Sequence, residues 1–142
     1  MDFVGCKAAL FCGGDILTYL RDAKPGLPWA GQWDLPGGGR EGAETPEDCL
    51  LREVEEEFGL RLPPARLLWR RAFPSMLDAA RQSWFFGGRL SKAEVRHIRF
   101  GSEGQRWQMM PVASYLAHPG AIAEMQRRAA IVWLALDDGT KP

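Results

Sequence analysis

Four glutamates lie between positions 53 and 57 of this sequence, and only Val54 interrupts them. On a helix, Glu53, Glu56 and Glu57 would occupy positions i, i+3 and i+4, which places their carboxylates on one face. Because like charges at this spacing repel each other, a positive partner is needed to offset them. A hard divalent cation with oxygen ligands is such a partner, and it would also bind the phosphates of a substrate. The spacing therefore predicts a metal site suited to phosphate chemistry.

The segment that carries these glutamates has the marks of a helix with defined ends. Thr45 is a favourable N-cap, Pro46 suits the first helical position, and Gly59 is a typical C-terminal stop. The apolar positions within the segment recur at helical spacing, and they are Leu50, Leu51, Val54 and Phe58. We expect this helix to bury one side and to present its glutamates beside the buried stripe.

The remaining elements are read from runs of strand formers, turn signals and helical periodicity. Strands are predicted at residues 3–12, 16–21, 66–73, 82–90 and 106–110. A short extended piece is predicted at 33–35, and a glycine-rich loop at 37–39. A loop is predicted at 22–31, a helical turn at 113–116, and a helix at 120–136. The mixed order of strands and helices predicts an α+β or α/β architecture with a mixed sheet packed between helices.

Composition narrows the class of protein further. The chain has 142 residues, 46% apolar and 25% charged, which suits a single globular domain spanning 1–142. Its formal net charge of zero argues against a general attraction to nucleic acid or to anionic membranes. Neither a membrane span nor a signal peptide is recognisable. The three cysteines lack metal-ligand spacing, so we expect buried, reduced thiols in a cytoplasmic protein.

The segment from residue 38 to residue 60 resembles the signature of the Nudix hydrolases, G-x5-E-x7-R-E-U-x-E-E-x-G-U, where U is apolar. The matching residues are Gly38, Glu44, Arg52, Glu53, Val54, Glu56, Glu57, Gly59 and Leu60. Nine constrained positions at fixed spacing rarely agree by chance. The signature covers 23 of the 142 residues, and the order of elements around it resembles the αβα sandwich of that family, an α+β fold with a mixed sheet between helices.

The resemblance implies an enzyme that cleaves a pyrophosphate bond in a nucleoside triphosphate or another nucleoside diphosphate-linked compound, by attack of water at phosphorus. It implies Mg²⁺ as the cofactor, with Mn²⁺ as a substitute. The implied metal ligands are, first, the carboxylates of Glu56 and Glu57, then that of Glu53, together with a backbone carbonyl of Gly37 or Gly38. The glutamates suit this reaction, since phosphoryl transfer depends mainly on positioning the substrate and on neutralising charge on its phosphate oxygens.

Three further residues receive roles from the same resemblance. Arg52 is expected to orient the glutamates through an ion pair with Glu56, and Glu44 to stabilise the junction of loop and helix. Residues 101–105, GSEGQ, resemble a loop in the Nudix branch that hydrolyses nucleoside triphosphates. Glu103 in that loop is therefore a candidate metal ligand or general base, and Glu53 competes with it for the role of base.

The candidates for substrate binding lie just before the signature. They are Arg21, Trp29, Trp33 and Asp34. Arg21 could reach a phosphate, or it could simply be a surface residue. Either tryptophan could stack on a base, or it could pack in the core. Substrate specificity is expected from loops at 22–34, 74–82 and 96–106. The chain contains no asparagine, the residue with which oxidised-dGTP-cleaving relatives read the purine edge.

Two other functions are compatible with the sequence. One is a nucleotide-binding sensor of the same fold that does not cleave its ligand, although the complete set of glutamates favours catalysis. The other is the processing of RNA 5′ ends, against which the neutral charge argues. The expected partner is a small nucleotide substrate, and no membrane partner is expected. The sequence does not predict the oligomeric state, and a homodimer is one possibility.

Overall fold

Seven strands and four α-helices make up residues 2–136, the part of the chain that a computed structural model describes. The strands are β1 (Gly5–Cys12), β2 (Asp15–Leu20), β3 (Trp33–Asp34), β4 (Gly37–Gly39), β5 (Leu67–Pro74), β6 (Gln82–Arg89) and β7 (Arg106–Pro111). The helices are α1 (Pro46–Phe58), α2 (Lys92–Arg96), α3 (Val112–Leu116) and α4 (Ala123–Ala135), and a 3₁₀ turn spans Pro64–Arg66. None of the helices in this range has the length and apolar character needed to cross a membrane.

The strands form one mixed sheet with β1 near its centre. The order along the main path is β3-β2-β1-β6-β5, while β4 adds to β1 and β7 adds to β2. β1 and β6 run parallel, and the other named pairs are antiparallel. This arrangement confirms the predicted mixed sheet.

Helices cover both faces of the sheet, and alternate side chains of β1 pack against the helices on opposite faces. Ala8 and Leu10 join a buried cluster with residues of α1, whereas Ala9 and Phe11 join the cluster that contains residues of α3 and α4. On the second face, Gly87 of β6 lets α4 lie close to the sheet. A Cβ there would come within 2.2 Å of Val132 Cγ1. The result is the predicted αβα sandwich.

The ends of α1 are those that the sequence predicts. The Thr45 side chain accepts a hydrogen bond from the Asp48 amide at 3.1 Å, and Gly59 ends the helix with φ of 67°. Leu50, Val54 and Phe58 are fully buried, although Leu51 is only half-buried.

Two local predictions differ from the structure. The stretch Gly37–Gly39 is not a loop but strand β4, because its backbone pairs with β1 at Gly5, Cys6 and Lys7. Helix α2 was not predicted, yet it begins with a capping box in which Ser91 and Glu94 bond each other's backbone amides. The cysteines are free, and Cys6 and Cys49 are buried with sulfurs 3.2 Å apart, whereas Cys12 is half-buried.

Candidate active site

The glutamates of α1 face the three glycines of β4. Glu57 Oε1 accepts a hydrogen bond from the Gly37 amide at 3.0 Å. The Glu53 carboxylate lies against Gly38, so closely that a Cβ on this glycine would be 2.6 Å from the carboxyl carbon. Both glutamates are buried, at 9% and 8% exposure. Two carboxylates are therefore held against one short stretch of bare backbone.

Gly37 itself has a conformation that only glycine adopts readily. Its φ is +133°, and a Cβ at this position would come within 2.1 Å of the Cys6 carbonyl oxygen. The close approach of β4 to β1 therefore requires glycine, and that approach presents the Gly37 amide to Glu57.

Arg52 ties the outer glutamates to the end of β4. Its Nε donates to Glu44 Oε2 at 2.7 Å, and its Nη2 donates to the Gly39 carbonyl at 2.9 Å. Its Nη1 donates to Glu53 Oε1 at 3.0 Å and to Glu56 Oε2 at 3.2 Å, so the predicted contact between Arg52 and Glu56 is present. The hydrogen bond from Arg52 also lowers the pKa of Glu44. This network holds the junction of β4 and α1 together.

The two buried glutamates lack sufficient positive charge around them. Burial raises the pKa of Glu57 to about 8, although Lys7 and the Gly37 amide act in the opposite direction. Burial likewise raises the pKa of Glu53, in spite of its contact with Arg52. Such shifts mean that the charged forms would be stabilised by an additional cation.

The donor set fits a hard divalent cation, but it is not gathered into a finished metal site. Within residues 2–136, no three or more His, Cys, Asp or Glu side chains form a group that could hold a metal ion. Glu56 is exposed and turned towards Arg52, which leaves Glu53 and Glu57 as the buried carboxylates beside the Gly37 and Gly38 backbone. Oxygen donors of this kind suit Mg²⁺ or Mn²⁺.

Two cations share one buried carboxylate next to this pair. Asp34 Oδ2 accepts from Lys7 Nζ at 2.9 Å, from Arg21 Nη1 at 3.1 Å and from the Tyr19 hydroxyl at 3.2 Å. Burial alone would lower the pKa of Lys7, but the attraction of Asp34, Tyr19 and Glu57 raises it above its ordinary value. Asp34 therefore holds Lys7 and Arg21 in fixed positions at the cavity.

A cavity of about 350 Å³ joins these groups. Its lining includes the predicted site residues Arg21, Trp29, Asp34, Glu53, Glu57 and Glu103 and the three glycines of β4. Each of the three loops expected to set substrate specificity contributes a residue to the lining, namely Trp29, Met76 and Glu103. A volume of this size is in the usual range for small-molecule sites.

Three of the residues predicted to act in catalysis or to bind substrate stand apart from the cavity lining. Trp33 is buried at 6% exposure in the cluster that packs against α4, so the geometry favours its role in the core. Arg52 and Glu56 also lie outside the lining, at the side of the glutamate pair. Trp29, by contrast, reaches the cavity from a backbone with φ of +52°, a strained conformation for a tryptophan.

Comparison with known proteins supports the signature with a match over most of the chain. The family model described as the NUDIX domain matches residues 9–134. The chain belongs to the Nudix family.

Curated Nudix relatives match over shorter stretches. An RNA pyrophosphohydrolase of Acidiphilium cryptum is 44% identical over 52 residues, which cover 37% of this chain and 32% of the relative. An 8-oxo-dGTP diphosphatase of Proteus vulgaris is 50% identical over 38 residues, which cover 27% of this chain and 34% of the relative. This chain therefore spans about a third of the length of the curated relatives that it matches.

A solved structure shares the Nudix fold over nearly the whole chain. The MutT NUDIX hydrolase of Burkholderia pseudomallei superposes with a TM-score of 0.66 at 24% identity, covering 93% of this chain and 98% of that protein. At this identity the match confirms the α+β fold rather than a shared substrate.

Two charged residues of this Nudix site were not predicted from the sequence. Lys7 lies within an apolar strand, GCKAALFC, and a lone cation in such a run is a signal that could identify it. Arg128 lies on the apolar face of α4, at i+3 from Met125 and i−4 from Val132, and is only 3% exposed. Both residues line the cavity.

Proposed function

We propose that this Nudix protein is a divalent-metal-dependent pyrophosphohydrolase that cleaves a nucleoside triphosphate or a related nucleoside diphosphate-linked compound. The observation that carries the proposal is the buried pair Glu53 and Glu57 held against Gly37 and Gly38 at the wall of a cavity. The names of the curated relatives, which are pyrophosphohydrolases and diphosphatases, support the same class of reaction. The zero net charge favours a small nucleotide over a long RNA.

In this proposal, Glu53 and Glu57 would hold Mg²⁺ or Mn²⁺ together with a backbone carbonyl of Gly37 or Gly38. The bound ion would neutralise charge on the phosphate oxygens and lower the pKa of water. Arg52 keeps the glutamates in position, and Glu44 fixes Arg52 in turn. Lys7 and Arg21 supply fixed positive charge at the cavity, where it favours a polyphosphate.

The general base takes the proton from the attacking water. Glu53 and Glu103 both line the cavity and are both suited to this role by chemistry. Glu53 is engaged by Arg52 and packed against Gly38, whereas Glu103 is exposed. We propose Glu103 as the base and Glu53 as a metal ligand.

Replacing Glu57 by Gln tests the function directly. E57Q should lower kcat for Mg²⁺-dependent phosphate or pyrophosphate release by roughly 100-fold or more, because a neutral amide is a weaker ligand for a hard cation. A screen over nucleoside triphosphates, dinucleoside polyphosphates, ADP-ribose, NADH and nucleotide sugars identifies the substrate with which to measure it.

Glu55→Gln is the matched control on the same helix. Glu55 is exposed, pairs with the exposed Arg61 and lies outside the cavity lining, so E55Q should retain wild-type turnover. Equal activity of E57Q and the wild-type protein would refute the proposed site. The released products, resolved by chromatography, show which phosphorus is attacked.

A second candidate is a nucleotide sensor that binds without cleaving. It is favoured by Lys7, whose Nζ donates to the Gly37 carbonyl at 3.3 Å and so competes for one of the two candidate backbone ligands. Tight nucleotide binding by calorimetry, with no product released in Mg²⁺ or Mn²⁺, would support this function over hydrolysis.

A further inference from the structure

Arg128 brings a positive charge to the side of the cavity that α4 and the loop after β5 form. The residue is only 3% exposed, yet it lines the cavity. A buried arginine is expensive unless its charge and its N–H groups are satisfied, so its contacts indicate what it is placed to bind.

Most of the Arg128 guanidinium is held by the protein. Its Nε donates to Glu124 Oε2 at 2.7 Å, and its Nη2 donates to the Pro74 carbonyl at 2.9 Å. The guanidinium carbon also lies 4.6 Å from the centre of the Phe73 ring. These contacts from three directions fix the plane of the group.

One terminal nitrogen of Arg128 remains for a ligand. Across residues 2–136, the structure provides no hydrogen-bond acceptor for Nη1. Glu124 also accepts two hydrogen bonds from Arg127, so a single carboxylate serves two cations and leaves positive charge at Arg128. Nη1 is therefore a fixed, charge-assisted donor that suits an acceptor atom on the ligand.

The surroundings of Arg128 in the cavity favour a flat, largely apolar group. The neighbouring lining residues from α4 and its N-terminus are Ile122 and Met125, and the loop after β5 adds Ser75, Met76 and Leu77. Trp29 lines the same cavity from the loop before β3. A second phosphate would need more than one donor and a polar environment, whereas a nucleobase is apolar on its faces and polar only at its edge.

We infer that Arg128 is a specificity-determining residue, whose Nη1 donates to a ring carbonyl oxygen on the edge of the substrate's base. The inference rests on the proposed function, since it places the phosphates at Glu53 and Glu57 and the base towards α4. A base with a keto group would satisfy Nη1. A base with an amino group at the same position would place an N–H donor against the Nη1 donor and leave Nη1 without an acceptor. The chain would thus read a keto base without the asparagine that it lacks.

Inosine triphosphate and ATP form a matched pair of probes, because they differ at position 6 in carrying a ring carbonyl or an amino group. The wild-type protein should favour inosine triphosphate in kcat/KM by about 10-fold to 100-fold, the range expected from one satisfied donor. Calorimetry of the same two nucleotides in Ca²⁺, in fractions checked for intact nucleotide, gives the preference for binding alone. Equal kcat/KM and equal affinity for the two nucleotides would overturn the inference.

Arg128→Gln and Arg127→Gln separate a direct contact from a general effect of charge. R127Q removes an exposed arginine that shares Glu124 but lies outside the cavity lining, so the preference should stay at its wild-type value. R128Q should reduce the preference to within about 3-fold of parity, chiefly through a higher KM for inosine triphosphate. If both variants lose the preference equally, or neither does, Arg128 does not read the base.

Stability and function are kept distinct in this test. Thermal melting of each variant reports on folding, and Arg128→Lys, which keeps the charge, replaces R128Q if the latter does not fold. R128K should also lose most of the preference, because an ammonium cannot reproduce the planar fork of the guanidinium. Failure of the proposed function would appear as no cleavage of either nucleotide, whereas failure of this inference would appear as cleavage without discrimination.

Discussion

Glu103 is exposed in the loop before β7, unlike the buried glutamates of α1. The residue lines the same cavity as Glu53 and Glu57, and within residues 2–136 the structure gives its carboxylate neither a salt bridge nor a hydrogen bond. An exposed carboxylate that lines the candidate cavity suits the proposed role of general base.

Replacing this residue tests its role at the level of a single side chain. Glu103→Gln should lower kcat by about 100-fold with little change in KM, because the variant still binds substrate but cannot take the proton. The measurement is steady-state kinetics with the substrate found in the screen. An E103Q enzyme with wild-type kcat would assign the proton transfer elsewhere, with Glu53 as the next candidate.

The sequence predicts site residues that recur at a helical spacing, but it does not predict site residues that only the fold brings together. The positions of Glu53, Glu56 and Glu57 on one helix follow from periodicity alone. Their unequal burial does not, because it depends on where β4 lies. Lys7 and Arg128 are single cations in apolar segments, and only the folded sheet and α4 show that both face one cavity.

Strand β4 illustrates how an element without side chains can position a proposed metal ligand. A Cβ at Gly38 would lie 2.6–2.7 Å from the atoms of the Glu53 carboxylate, whereas a Cβ at Gly39 would meet nothing within 4 Å. The two adjacent glycines therefore differ in what a methyl group would displace, and neither has the left-handed φ that would strain an alanine.

Alanine at each position gives a matched pair of variants. Gly38→Ala should displace the Glu53 carboxylate and lower kcat by roughly 10- to 100-fold, since a small misplacement of a catalytic group has an effect of this order. Its melting temperature should fall by only about 4 °C or less, because a flexible side-chain end can move aside. Gly39→Ala should match the wild-type protein in both measurements, and a loss of activity in G39A equal to that in G38A would argue against this account.

Helix α4 is stabilised by a charged group whose effect depends on pH. Hydrogen bonds from Arg127 and then Arg128 lower the pKa of Glu124 from 4.5 to about 2, although partial burial opposes them. A carboxyl with a lowered pKa in the folded state stabilises the fold above its unfolded pKa of 4.5, and this contribution is lost as the pH falls towards 2.

Urea unfolding of the wild-type protein and Glu124→Gln across a pH series should show this dependence. Near neutral pH, E124Q should be less stable by about 1–2 kcal/mol, a value reduced from the full pKa shift because the side chain is partly exposed to solvent. The gap should narrow as the pH falls below about 4.5 and close near pH 2. A gap that stays constant over the whole range would mean that the ion pair does not titrate as described.

At the scale of the whole molecule, the α+β sandwich and most of its elements could be predicted before the fold was known. Local signals define α1, because its caps and its apolar stripe are contained in one short segment. Strand partners are not local, so the sequence did not predict that β4 joins β1 or that β7 joins β2. The cavity could not be predicted for the same reason, since it is formed by elements that are distant along the chain.

The parallel pairing of β1 with β6 has a consequence for how the protein folds. β1 and α1 are both translated before β6, yet Ala8 and Leu10 share their buried cluster with Phe86 of that later strand. Long-range pairing of this kind slows folding, because the entropy lost in closing the intervening loop precedes the gain from contact. On the ribosome, the apolar stripe of α1 would therefore stay incompletely covered until β6 emerges, and a nascent chain at that stage is a natural client for chaperones.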